Sequence, residues 1–239
     1  MDEVLVFDLR GSLAHYRRPD TLQTQATYPF LPRTALRGLI GSVLGLPYRS
    51  DADILPPDCR TGLRLLAPLR TVTQQLTLHG KTWMAGQGRK DNFHRLTTLE
   101  LVVAPHYRVF FSGPLAPELR RRLEQRHTHF HTYLGSAFCL TFPEWVGACT
   151  PTPVPRDRSP LTCTTVVPLD AIRHLHPTNG CQYARVTMHR DHIGDRRFRG
   201  SLAVVYEVSG RPITFDPDWA AQPFWHFYDL PEEGTICLW

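Results

Sequence analysis

The chain has 239 residues, 42% of them hydrophobic, so it can bury the core of one large domain or two small ones and is not a disordered polymer. Its net charge of +5 rests on arginine, since Lys81 and Lys90 are its only lysines. Planar guanidinium suits phosphate and bases better than a membrane surface, although a high-GC genome produces the same bias. Six scattered cysteines with no C-x-x-C pair argue against a disulfide frame or zinc site, and the opening MDEVLVFDLR has no leader character. The expectation is a soluble cytoplasmic protein with no membrane partner, no metal and no cofactor.

In chain order, residues 4–9 read as a strand with Leu5, Phe7 and Leu9 on one face. A basic and aromatic loop follows, carrying His15, Tyr16, Arg17, Arg18 and Tyr28. A helix is expected to start at Pro32-Arg33-Thr34, with Thr34 as its cap and Pro32 unable to extend it backwards. Leu36, Leu39, Ile40, Val43 and Leu44 then form one buried stripe. Gly38, Gly41 and Gly45 each cost about 1 kcal/mol against alanine inside a helix, which fits close packing against a sheet. The N-terminus of this helix and the loop before it are the natural place for an anion, bringing Arg33 and Arg37 into play.

Residues 48–60 are a loop containing Pro56-Pro57, and residues 63–78 largely alternate apolar and polar. HGKTWMAGQGRKDNFHR comes next, and residues 96–103 return as a second extended arm. This predicts a long hairpin over about 71–103, with Lys81, Trp83, Arg89, Lys90, His94 and Arg95 around its tip. Such a tip is either a solvated mobile loop or a device that touches phosphate and stacks on a base. A strand at 107–111, a helix at 114–127 with Arg120, Arg121 and Arg122 facing solvent, and a closing strand complete the first unit. The order is that of an α+β, ferredoxin-like domain, the topology shared with the RRM. The expected organisation is this domain over 1–150, a Pro-rich linker over 151–163, and a smaller strand-rich domain over 164–239. Strands in the last are expected at 183–189, 201–208, 212–215 and 235–239, with a second basic loop holding Arg196, Arg197 and Arg199. The twelve histidines include close pairs but no carboxylate or cysteine set around them, so surface or RNA contact is expected of them. His94 or His129 could act as a general base in a ribonuclease, without an evident partner by spacing.

Two motifs carry a family resemblance. G-x-x-A-x-x-R-R (Gly11, Ala14, Arg17, Arg18) followed by Y-P-x-x-P-R-T-x-L-x-G-L-I-G-x-x-L-G (Tyr28 through Gly45) resembles the CRISPR-associated Cas five family of the RAMP superfamily. Tyr133-Leu134-Gly135, Cys139, Leu140, Pro143 and Gly147 resemble that family's motif after its second helix. The resemblance covers the first unit and is weak beyond Pro151. It implies a non-catalytic subunit of a type I Cascade complex that holds the 5′ handle of crRNA, with the basic hairpin as its thumb. It implies docking beside a Cas seven type backbone subunit and a Cas eight type large subunit, with target DNA nearby, in antiviral defence or RNA-guided DNA targeting. One branch, in subtype I-C, is a metal-independent endoribonuclease that processes pre-crRNA with a tyrosine and a Lys-His pair. Both lysines here lack that histidine, being followed by Thr82 and Asp91.

Overall fold

The computed structural model describes residues 3–21, 24–47, 53–79, 94–195, 197–220 and 224–239, except for the side chains of His79 and Arg95. Among these, a strand-rich α+β chain emerges. Its first part holds β1 (Val4–Arg10), β2 (Leu13–Ala14), β3 (Thr24–Gln25), α1 (Arg33–Leu44), β4 (Arg60–Leu65), β5 (Thr71–His79), β6 (His94–Val103), β7 (His106–Ser112), α2 (Ala116–Glu124) and β8 (Glu144–Cys149). Then come β9 (Thr152–Pro153), β10 (Leu161–Cys163), β11 (Val167–Pro168), β12 (Ile172–Leu175), β13 (Tyr183–His192), β14 (Phe198–Glu207), β15 (Ile213–Pro217), β16 (His226–Leu230) and β17 (Gly234–Leu238).

The central sheet runs β4-β7-β1-β8, antiparallel throughout, with α1 in the connection from β1 and α2 in the connection from β7 to β8. On one face of β1, Leu5, Phe7 and Leu9 join the helix stripe Leu36, Leu39, Ile40, Val43 and Leu44 in the main core. The other face is buried too: Val4 and Val6 pack with Phe110 against Tyr228, Leu230, Ile236 and Leu238 of β16 and β17. The C-terminal strands therefore cover the sheet opposite the helices, and Thr61 and Trp239 exchange backbone hydrogen bonds at 3.1 and 2.9 Å. At this layer boundary Arg108 grips Asp8 through two nitrogens, at 2.8 and 3.0 Å, and reaches Glu233 at 2.6 Å. Arg64 supplies Glu233 with a second cation at 3.1 Å. A buried carboxylate is tolerable only with such partners.

Four local expectations change. Helix α1 begins at Arg33 with Pro32 as its N-cap and no side-chain cap bond, so Thr34 lies inside the helix. The extended stretch over 63–78 divides into β4 and β5. Within residues 151–163, expected to form a linker, β9 and β10 join a six-stranded sheet, β12-β15-β10-β17-β16-β9. Pro153 is accommodated because β9 is the edge of that sheet, where a missing N–H leaves no ladder bond unmade. The sequence reading also missed β12 and β16.

Candidate nucleic-acid interface

The predicted hairpin is present as a ribbon: β5 and β6 pair antiparallel from Thr71↔Val102 to His79↔His94. Lys81, Trp83, Arg89 and Lys90 lie outside the described residues, as does the side chain of Arg95. His94 is exposed at the outer end of β6. Along the ribbon one face carries Val72, Gln74, Leu76 and Leu78 beside Thr97, Leu99 and Leu101, and the other exposes Thr71, Thr73, Gln75 and Thr77 together with Leu96.

The basic loop lies along the free edge of this ribbon. β2 pairs antiparallel with Val102 and Val103, and β3 pairs parallel with Thr98 and Leu99. His15 Nδ1 is 2.8 Å from the Glu100 carbonyl, and the Thr27 N–H donates to the Glu100 carboxylate at 3.0 Å. From the other side the His15 N–H donates to the Leu134 carbonyl at 3.1 Å. Gly135 holds φ +86, and a Cβ there would lie 2.1 Å from the His15 oxygen. The Tyr-Leu-Gly motif thus presses on the basic loop where only glycine fits.

This clamping decides which loop side chains can meet a ligand. His15 is 4% exposed, and burial lowers its pKa. Tyr16 and Tyr28 are buried as well, and burial pushes both phenols up. Arg17 is exposed, held by a backbone bridge to Thr27. Arg18 is half-exposed and forms a two-pronged pair with Asp20 at 3.1 and 2.7 Å. Of the five residues singled out in the loop, these two arginines reach the surface beside the ribbon.

Arg33 and Arg37 point inward. Arg37 is 2% exposed and donates to Asp53 at 3.0 Å and to the carbonyls of Cys59, Leu55 and Pro56 at 2.9, 2.8 and 3.1 Å. Arg33 donates to the Arg190 carbonyl at 3.1 Å and the Trp239 carbonyl at 2.8 Å. Burial and the neighbouring Arg37 bring its pKa down to about 10. The expectation that these two face a ligand at an open helix end is corrected: their donors are spent on backbone carbonyls of distant segments, and they staple the fold. The arginines of α2 are neutralised in place, Arg121 and Arg122 by Glu118 and Arg120 by Glu3 and Glu124.

A second basic region lies at the turn joining β13 to β14. Arg197 and Arg199 are exposed there, and Arg196 lies outside the described residues. A cavity of about 1030 Å³ opens beside it, lined by Arg33, Arg37, Arg190 and Arg199 against Asp53 and Asp191. Sequence reasoning also missed an exposed apolar run: Phe130, Tyr133, Phe138, Leu140, Phe142 and Val146 keep between 43% and 63% of their surface. Tyr133 and Leu140 were read as positions of the family motif and the others only as the approach to the closing strand, and exposure cannot be inferred from residue type. Among the described residues no group of His, Cys, Asp and Glu could hold a metal, and no helix is long and apolar enough to cross a membrane.

In fold the chain is similar to solved CRISPR proteins. A chain of a CRISPR RNA-guided surveillance complex matches with a TM-score of 0.52 at 15% identity, covering 87% of this chain and 91% of that one. A CRISPR protein from Archaeoglobus fulgidus matches with a TM-score of 0.55 at 11% identity over 98% of each chain. A further Cas protein matches with a TM-score of 0.51 at 15% identity, covering 87% and 95%. None of the curated proteins matches significantly. The family profile described as CRISPR-associated protein (Cas_Cas5) matches residues 4–202, and the chain belongs to that family. The two sequence motifs pointed to the same family.

Proposed function

We propose that the chain is the RNA-holding, non-catalytic subunit of a type I CRISPR effector complex, gripping the 5′ handle of crRNA. The observation that carries this reading is the lacing of the basic loop along β6, which sets the exposed Arg17 and the half-exposed Arg18 beside the β5–β6 ribbon. A two-stranded ribbon rooted beside exposed guanidinium is suited to a sugar-phosphate backbone, and the ribbon serves as the thumb. The strand order β4-β7-β1-β8 with two helical crossovers agrees with a ferredoxin-like core of the RAMP type. The exposed apolar run from Phe130 to Val146 supplies surface on which the backbone subunit or the large subunit could sit.

Two observations weigh against the endoribonuclease alternative. No Lys-His dipeptide occurs in the sequence. Tyr107 of β7, the tyrosine paired with Leu9 of β1 and the one we would test as a nuclease residue, is 1% exposed with its phenol pushed up by burial, which withdraws it from solvent. The test is incubation of the purified chain with its cognate repeat RNA, with magnesium and with EDTA. The expected result is retained, uncut RNA in both; one specific cut on the 5′ side of the handle would assign the chain to the nuclease branch.

A further inference from the structure

The end of the β13–β14 ribbon is built differently from an ordinary surface turn. Phe198 stands opposite His192 in the ladder and keeps 39% of its surface exposed. One of its faces is stacked on His189, with ring centroids 4.2 Å apart and planes 5° from parallel. The His192 ring meets it edge-on at 5.5 Å. An exposed phenylalanine is ordinary; one held in a parallel stack, with its ladder partner His192 and its neighbour Arg199 lining a charged cavity, is a platform.

The charge beside the platform is also unbalanced. Four guanidiniums line the cavity against two carboxylates, and both carboxylates are already engaged: Asp53 with Arg37 at 3.0 Å, Asp191 with Arg190 at 3.0 Å. Arg190 lies over the Phe224 ring at 5.2 Å, and across the ladder it crosses Gly200, where a Cβ would stand 3.1 Å from its guanidinium carbon. Gly200 holds φ +71, so a side chain there would be strained as well as crowded. Arg199 is 71% exposed, with Asp191 at 3.9 Å as a loose partner. A flat ring, an exposed guanidinium next to it and surplus positive charge behind form a combination that binds a base and its phosphate.

We infer that this ribbon end is a nucleotide seat: one base of a single-stranded RNA stacks on Phe198 as the third ring after His189, and its phosphate is met by Arg199 and Arg190. The inference rests on the RNA-holding reading above and adds a second contact, in the C-terminal half, outside the loop and thumb.

The test compares two eight-nucleotide probes on the full chain by fluorescence anisotropy, oligouridylate and a chain of equal length with abasic sugars, which keeps the phosphates and removes the bases. Phe198→Ala should weaken oligouridylate binding about tenfold and leave abasic binding within twofold. Phe198→Tyr should retain the wild-type difference between the probes. Arg199→Ala should weaken both probes alike and lower the salt slope by about 0.7. A melting curve on each variant checks the fold, which these exposed positions should leave intact. Equal weakening of both probes by Phe198→Ala, or no weakening of either, overturns the seat. If oligouridylate binding falls on replacing Arg17 and Arg18 but ignores Phe198→Ala, the RNA-holding reading stands and the seat alone is lost. If the wild-type chain binds neither probe, both fall.

Discussion

Two pairs of arginines close together in the sequence have opposite fates. Arg17 and Arg18 sit on a loop clamped by its backbone between β6 and the Tyr-Leu-Gly motif, so their side chains are left at the surface. Arg33 and Arg37 enter within the first five residues of α1 and are swallowed by the core, where they donate to Asp53 and to backbone carbonyls of other segments. Arginine type and helix position therefore do not mark a ligand contact. What decides is whether carbonyls of other segments reach the guanidinium first.

The comparison breaks most sharply at Arg37. Arg37→Ala should cost about 3–5 kcal/mol in chemical denaturation, since it strands three carbonyls and Asp53. A variant of unchanged stability with weakened RNA binding would reverse the roles assigned here.

An acidic counterpart sharpens it. Glu207 has a fully buried side chain that accepts backbone N–H bonds from Gln182, Ser209 and Arg211 at 3.1, 2.8 and 2.9 Å. Burial alone would raise its pKa, but these donors and the Arg211 charge hold it below the usual range. A depressed folded pKa gives stability that is present above the unfolded value of about 4.3 and lost as pH falls through the folded one. Glu207→Gln should thus cost about 1–3 kcal/mol at pH 7, with the gap from wild type closing below about pH 4. A gap independent of pH would mean the carboxylate charge is not what is being bound.

A smaller contrast lies within α1. A Cβ on Gly41 would come within 2.4 Å of the Ile54 Cδ1, whereas a Cβ on Gly38 meets nothing within 4 Å. Gly38→Ala should stabilise by about 0.5–1 kcal/mol, and Gly41→Ala should fall about 1 kcal/mol short of it in the same melts. Equal gains would show that Ile54 yields freely.

How much of this was legible follows the range of the interactions. β1, the apolar stripe of α1 and the span of the β5–β6 hairpin depend on local periodicity, and the sequence carried them closely, although it ran β4 and β5 together. The fate of Arg33 did not, because its acceptors, Arg190 and Trp239, lie 157 and 206 residues away. The prolines at 151, 153, 155 and 160 read as a linker because edge-strand tolerance depends on which strand ends up outermost. The seat at Phe198 was half legible: Arg197 and Arg199 stood out as charge, but the stack with His189 exists only once β13 and β14 pair.

The division between structural and RNA-facing arginines is tested most directly by the salt dependence of repeat-RNA binding in the Arg17→Ala/Arg18→Ala variant. These residues are exposed or half-exposed and Arg18 is partly neutralised by Asp20, so stability should stay within about 0.5 kcal/mol. The slope of log affinity against log salt should shrink by about 0.7–1.4, as expected when one or two phosphate contacts to a single strand are removed. An unchanged slope in a folded variant would contradict the account, leaving the loop beside the β5–β6 ribbon as solvated surface.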